Sequence, residues 1–183
     1  NAVKYPDEHS TATDADIVLI QGGDDRALPG RRARTQQVLT DPGTILVHSL
    51  PAVIDAVDRR LPDDVAGEFS QGRKREDFLR WASTEDPLPH LFNVGNYICA
   101  PTVGLRRRDY LDFGGFPSNI DALQDYALWL ELASHGRFAC DPEPLVEYRK
   151  HSTNLSREAS GLDSTRIRRE AAENEWIRNR FLD

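Results

Sequence analysis

Apolar and polar positions along the chain fall into short blocks that alternate between strand-like runs and helical stripes. Ile17 to Ile20 is an unbroken apolar run, the pattern of a strand buried on both faces. Thr44 to Ser49 is a second apolar strand, and Val53 to Val57 continues it as a hairpin arm towards Asp58-Arg59-Arg60. Thr102 to Arg106, Arg137 to Cys140 and the extended run from Glu143 to His151 complete the expected strands. Helices are expected at Pro29 to Thr40, Glu76 to Ser83, Arg108 to Asp112, Asp121 to His135 and Thr165 to Leu182. Asp121 and Gln124 stand at the spacing of a helix-capping box, and Gly136 suits the stop of that helix. Leu123, Tyr126, Ala127, Leu128, Trp129, Leu130 and Leu132 make it apolar almost all round, so it should be buried. The last helix is charged and amphipathic, with Ile167, Ala171, Trp176, Ile177 and Phe181 available to dock on the body or on another subunit. Asn1 to Ala15, Gly67 to Arg75, Asn93 to Tyr97 and Ser152 to Ser164 read as polar loops or turns, and Thr84 to Pro89 as a rigid connector.

The first strand leads into the most chemically loaded stretch. Gly22 and Gly23 break it, because glycine tolerates backbone angles that other residues avoid. Asp24 and Asp25 follow, and Pro29 suits the first turn of a helix. Adjacent carboxylates at the end of a buried strand make a hard, oxygen-rich spot where open α/β sheets bind ligands, suited to Mg²⁺ or Mn²⁺ carrying a diphosphate. The same residues also suit a plain acidic turn. Arg31, Arg32 and Arg34 form a solvated helix face, or one of them orients the acidic turn by ion pairing. His48 is a lone histidine on a strand and suits a core or edge role. The basic run Gly67 to Arg75 is a solvated loop, or a lid over an anionic ligand. Asp125 stands in the first turn of an apolar helix, with Trp129 and Leu132 beyond it on the same face. A carboxylate there is either a dipole-stabilising acid or a general base tuned by its apolar wall.

Composition narrows the classes. The chain has 183 residues, 39% hydrophobic and 29% charged, which suits an ordinary globular domain spanning 1–183. A net charge of -7 argues against a reader of nucleic-acid phosphates, which needs a basic face. No apolar run approaches the roughly 20 residues that a membrane helix needs. Cys99 and Cys140 lack metal-ligand spacing and are expected as core thiols of a reducing compartment. Methionine is absent even at position 1, so the chain is expected to be a fragment of a longer protein.

The order of these pieces carries more than any one of them. Apolar strand, Gly22-Gly23-Asp24-Asp25, Leu28-Pro29-helix, an arginine-rich strand end, Gly114-Gly115-Phe116, Gln124-Asp125-Tyr126 with Leu128-Trp129-Leu130, and Tyr148-Arg149-Lys150-His151 follow one another. From about Asp16 to Asn154 this order resembles the carboxyl-terminal part of the family 2 inverting glycosyltransferases of the GT-A fold. The resemblance implies that Asp24 is the metal-binding aspartate of the family's Asp-x-Asp signature and Asp25 the acid that commonly follows it. It implies a divalent cation, Mn²⁺ or Mg²⁺, held against the diphosphate of a nucleotide sugar. Asp125 matches the aspartate of the family's Glu-Asp motif, the general base that deprotonates the acceptor hydroxyl. Gly114, Gly115 and Phe116 match the turn on the acceptor side, with Gln124 beside the base. His151 stands where some members place a further diphosphate or metal contact, and a structural role for it stays open. Gly22 replaces the family's first aspartate, Gln124 replaces its glutamate, and the first β-α-β units would lie before Asp16.

The expectation is therefore an α/β domain with a mixed, mainly parallel sheet and flanking helices, GT-A-like and lacking the first β-α-β units. Its implied partners are a nucleotide diphosphate sugar and a hydroxyl acceptor that is a saccharide, lipid-linked or a protein. A homodimer through the helix at 165–183 and a cytoplasmic location, peripheral at the inner membrane face, complete it. Two other classes remain: a catalytically silent or truncated module acting in binding or assembly, and a metal-dependent phosphate-ester hydrolase using Asp24 and Asp25.

Overall fold

The computed structural model describes residues 16–62, 67–70, 72–151 and 164–182. The expected polar lead Asn1 to Ala15 and nearly all of the expected loop from Ser152 to Ser164 lie outside the described residues. In chain order the elements are β1 (Ile17–Leu19), β2 (Arg26–Ala27), α1 (Arg31–Val38), β3 (Thr44–Ser49), β4 (Ala52–Ile54), α2 (Gly67–Ser70) and α3 (Arg75–Ala82). There follow α4 (Leu88–Val94), β5 (Gly104–Arg106), α5 (Arg107–Asp112), α6 (Gln124–Ala133), β6 (Arg137–Asp141), β7 (Val146–Arg149) and α7 (Ser164–Leu182).

The class is α/β with mixed sheets, as expected, but the strand directions differ from the expectation. One sheet has the order β1-β5-β3-β6 and a smaller one the order β2-β7-β4. Among the described strands, β1/β5, β5/β3 and β2/β7 pair antiparallel, and only β3/β6 and β4/β7 pair parallel. The sheets are thus not mainly parallel. Crossover connections force parallel pairing only where they return to the same sheet edge, and here β5 enters between β1 and β3 in the opposite sense. The strand buried on both faces is β3, every residue of which is buried; β1 is an edge strand and only half-buried. Ala52–Ile54 does not pair back on β3. It leaves for the second sheet beside β7 and then closes a small hairpin of its own at Ile54 and Arg60.

Several local expectations are corrected in the same way. Pro29 precedes the helix rather than opening it, because Gly30, at φ 83°, takes the left-handed angle of the helix-capping position. The basic run is not simply loop: Gly67–Ser70 is helical, and Arg75 already belongs to α3. Helix α4 lies between the connector and the turn around Asn93, taking in Leu88 and Pro89 of the one and Asn93 and Val94 of the other; its Pro89 sits in the first turn, where no amide hydrogen is needed.

The core gathers around α6, where Tyr126 to Leu130, Leu132 and Ala133 are buried. Trp129 is fully buried and meets Phe116 edge-on, at 6.3 Å between ring centroids. Helix α1 crosses the sheet so closely that a Cβ on Gly104 would lie 2.4 Å from Thr35 Cγ2. That contact fixes α1, and with it Arg31, over the junction of β1 and β5. Cys99 and Cys140 are buried free thiols, as expected. Among the described residues, no helix is long and apolar enough to cross a membrane.

Candidate active site

The acidic turn is braced from three directions. Gln21 donates its side-chain amide to the Asp25 carbonyl at 3.0 Å, and the Asp25 amide closes the turn on Gly22 O at 3.3 Å. From β7, the Arg149 amide donates to Asp25 Oδ1 and the Arg149 guanidinium to the Asp24 carbonyl, each at 2.9 Å. From α1, Arg31 donates to Gln21 Oε1 at 3.1 Å and to the carbonyls of Ile20, Pro101 and Val103 at 2.5, 2.7 and 3.2 Å. Arg31 is therefore not part of a solvated face; it is 3% exposed. Its burial draws its pKa down to about 10, a fall resisted by the nearby charge of Asp25. Arg34 instead grips Asp141 through two hydrogen bonds, at 3.0 and 2.6 Å.

The two aspartates of the turn differ. Asp25 is 7% exposed, and burial lifts its carboxyl above the usual range, with Asp24 adding repulsion and the Arg149 amide opposing. Asp24 keeps 46% of its side chain exposed and has His151 Nε2 at 2.7 Å from its Oδ2. A Cβ on Gly22 would lie 2.4 Å from Asp25 Oδ2. The Asp25 carboxylate thus fills the space that an aspartate at position 22 would need.

A hard divalent cation could be held at this turn in one particular way only. Among the described residues, no three His, Cys, Asp or Glu side chains are grouped to hold a metal. Mg²⁺ or Mn²⁺ is ordinarily held by one or two carboxylates, with water and substrate phosphate completing the shell, and Asp24 offers such an open carboxylate.

Asp125 belongs to a second cluster. It is the second residue of α6, and its Oδ1 accepts from the Tyr126 amide at 2.7 Å. Asn96 donates to Oδ2 at 3.0 Å. Burial raises the carboxyl above its usual range, and these two donors moderate the rise. The expected Asp121–Gln124 capping box does not form. Gln124 turns its amide back to the Ile120 carbonyl at 2.5 Å, and the amides of Asp121, Ala122 and Leu123 are taken by Glu173 of α7. A chain segment links the two clusters: Asn96 holds Asp125, and Pro101, a few residues on, accepts from Arg31.

Gly114, Gly115 and Phe116 form a turn with both glycines at positive φ, 81° and 64°, and Phe116 inserted in the core. The two glycines line a cavity of about 210 Å³ with Ala127, Glu131, Trp176 and Arg180. Gln124 and Asp125 do not line it. His48 is fully buried among Phe78 and Tyr97, and burial lowers its pKa to about 4. It is a core histidine, as expected.

Asn96, Gln21, Arg149 and Glu173 also build the site, although the sequence does not mark them as site residues. Only Arg149 carried a local signal, its place between Tyr148 and His151. The others act through partners distant in sequence. Set against known proteins, the chain matches no family model and no curated protein.

Proposed function

We propose that this chain carries the metal- and acceptor-side part of a GT-A-type glycosyltransferase, moving a sugar from a nucleotide diphosphate sugar to a hydroxyl acceptor with inversion. The observation that carries the proposal is the convergence of His151 on Asp24 across 127 positions, at 2.7 Å, beside a turn whose second aspartate is buried and braced. The Asp25 carboxylate occupies the space that a side chain at position 22 would need, and in this reading it serves in place of the aspartate missing there. Asp24 and Asp25 would hold the cation with His151 beside them, and the cation would neutralise charge on the leaving diphosphate.

Asp125 supplies the base. Burial raises its pKa above the usual carboxylate range, which favours proton uptake, and its carboxylate keeps lone pairs beyond those given to Asn96 and Tyr126. It takes the acceptor proton as the acceptor oxygen attacks the anomeric carbon from the face opposite the leaving diphosphate. One in-line displacement inverts the centre.

Calorimetric titration with UDP, GDP and dTDP, with and without Mn²⁺, tests the reading. Manganese-dependent binding of one nucleotide, weakened by Asp24→Ala, is the expected result. A second reading, a silent binding module, is favoured by one observation: Asp25 Oδ1 already accepts from the Arg149 amide, which leaves it fewer lone pairs for a cation. Absence of binding in this chain and in a chain extended upstream would leave that reading and end the first.

A further inference from the structure

Helix α7 reaches the start of α6 from about 50 residues away. The amides of Asp121, Ala122 and Leu123 converge on the Glu173 carboxylate at 3.0, 2.9 and 2.9 Å. These residues directly precede α6, which has no side-chain cap from its own N-cap residue Leu123. Early helix amides lack intrahelical partners, and bonds from amides to an ionised carboxylate are among the stronger ones. Glu173 is held in place from both sides along α7. Arg169 pairs with Asp121 at 3.3 Å, Ile177 is fully buried, and Arg180 pairs with Glu131 at 3.2 Å. The spacing 169, 173, 177 and 180 is a single helix face.

We propose that Glu173 is a positioning residue for Asp125: by clamping the three amides ahead of α6, it sets the Asp125 carboxylate against Asn96 and couples that carboxylate to the docking of α7. The inference rests on the reading of Asp125 as the base. Asp125 lies two residues beyond the last clamped amide, so a shift of this loop moves it directly relative to Asn96. The Glu173 anion also offsets the positive end of the α6 dipole, which by itself favours ionised Asp125. The other charged groups near this helix start are the Asp121–Arg169 pair and Arg178, whose charge acts on Tyr126. Asn96 faces Asp125 as a neutral donor.

The test follows the Asp125 carboxyl carbon by NMR across pH in the full chain, together with hydrogen exchange of amides 121–123. Glu173→Gln keeps the size but removes the charge. It should lower the Asp125 midpoint by about half a pH unit and speed exchange of the three amides by about tenfold. Glu175→Gln, which removes a charge from the exposed side of α7, should do neither. An unmoved Asp125 in Glu173→Gln, or an equal shift in Glu175→Gln, overturns the clamp. Should Glu173→Gln not fold, the native chain still decides: protected amides at 121–123 support the clamp, and exchange at the rate of open chain overturns it. None of these readouts needs turnover. Full transfer by Asp125→Asn would remove the base reading alone, whereas a silent Glu173→Gln beside an inactive Asp125→Asn would remove the clamp alone.

Discussion

The acidic turn and the start of α6 each present a carboxylate, but they are held in opposite ways. The turn is braced by the sheet itself: Arg149 from β7 and Arg31 from α1 reach it through backbone carbonyls and amides. Asp125 is held by one asparagine and, further back, by a carboxylate from the last helix. A site built on sheet backbone resists local motion, because shifting it breaks core pairing. A site whose supporting cap comes from a docked helix inherits the stability of that docking. Binding at Asp24 should therefore be the robust half of the proposed chemistry, and proton transfer at Asp125 the sensitive half.

The sharpest way to separate the halves is Asp125→Asn. Loss of the base should reduce transfer by about 10²- to 10⁴-fold while Mn²⁺-dependent nucleotide affinity stays within about twofold of the native value. Steady-state rates and calorimetry on the same preparation check both. A fall in affinity to match the fall in rate would mean that the halves are not separate.

Arg31→Ala should break the other half. It leaves the Ile20 and Pro101 carbonyls and Gln21 without this donor, while Val103 keeps the Ile20 amide, and a loss of about 3 kcal/mol in urea denaturation is expected. Arg31→Lys, which keeps charge but loses the fork, should fall between the two. Equal stability in all three proteins would show that the brace carries no weight.

His48 is fully buried and edge-on to Tyr97, which follows Asn96 directly. Its pKa of about 4 in the folded chain lies below the ordinary 6.5, so the unfolded chain binds a proton first as pH falls. Stability is therefore intact above about pH 6.5 and drains as pH drops towards 4, by about 3 kcal/mol from this residue. Urea midpoints at pH 7 and 4.5, for the native chain and His48→Leu, read it out: the difference between the two pH values should shrink in the variant.

The smallest expected effect is the most local. Gly22→Ala places a Cβ against Asp25 Oδ2 and should push that carboxylate aside, weakening Mn²⁺-dependent nucleotide binding by about tenfold, or about 1.4 kcal/mol. Thermal stability should change little, since Gly22 stands at the turn and not in the core. Unchanged binding would detach Asp25 from the metal.

Much of the scaffold was legible without coordinates, wherever a signal was local. Thr44–Ser49 reads as a strand from its apolar run Ile45-Leu46-Val47, and it is buried throughout. Arg75–Ala82 and Gln124–Ala133 read as helices from their spacing, and Trp129 as core from the apolar surround of its helix. Leu88–Val94 was hidden, because Pro87 and Pro89 break a helix in its interior yet suit its first turn, and spacing alone does not distinguish the two.

The sequence by itself determined most of the longer elements and their approximate limits, the buried character of α6, and the placing of Asp24, Asp25 and Asp125 at element ends. These follow from side-chain period and backbone preference within a few residues. Only the tertiary structure decided which strands run antiparallel, that Arg31 is interior, that Asp25 fills the room above Gly22, and that Glu173 caps α6. Each of these depends on a partner brought close by chain crossing, 50 residues away for Glu173 and Leu123 and 72 for Arg31 and Val103. Hydrogen-bond donors and carboxylates carry no address in the sequence; their partners are set by where the packed core leaves them.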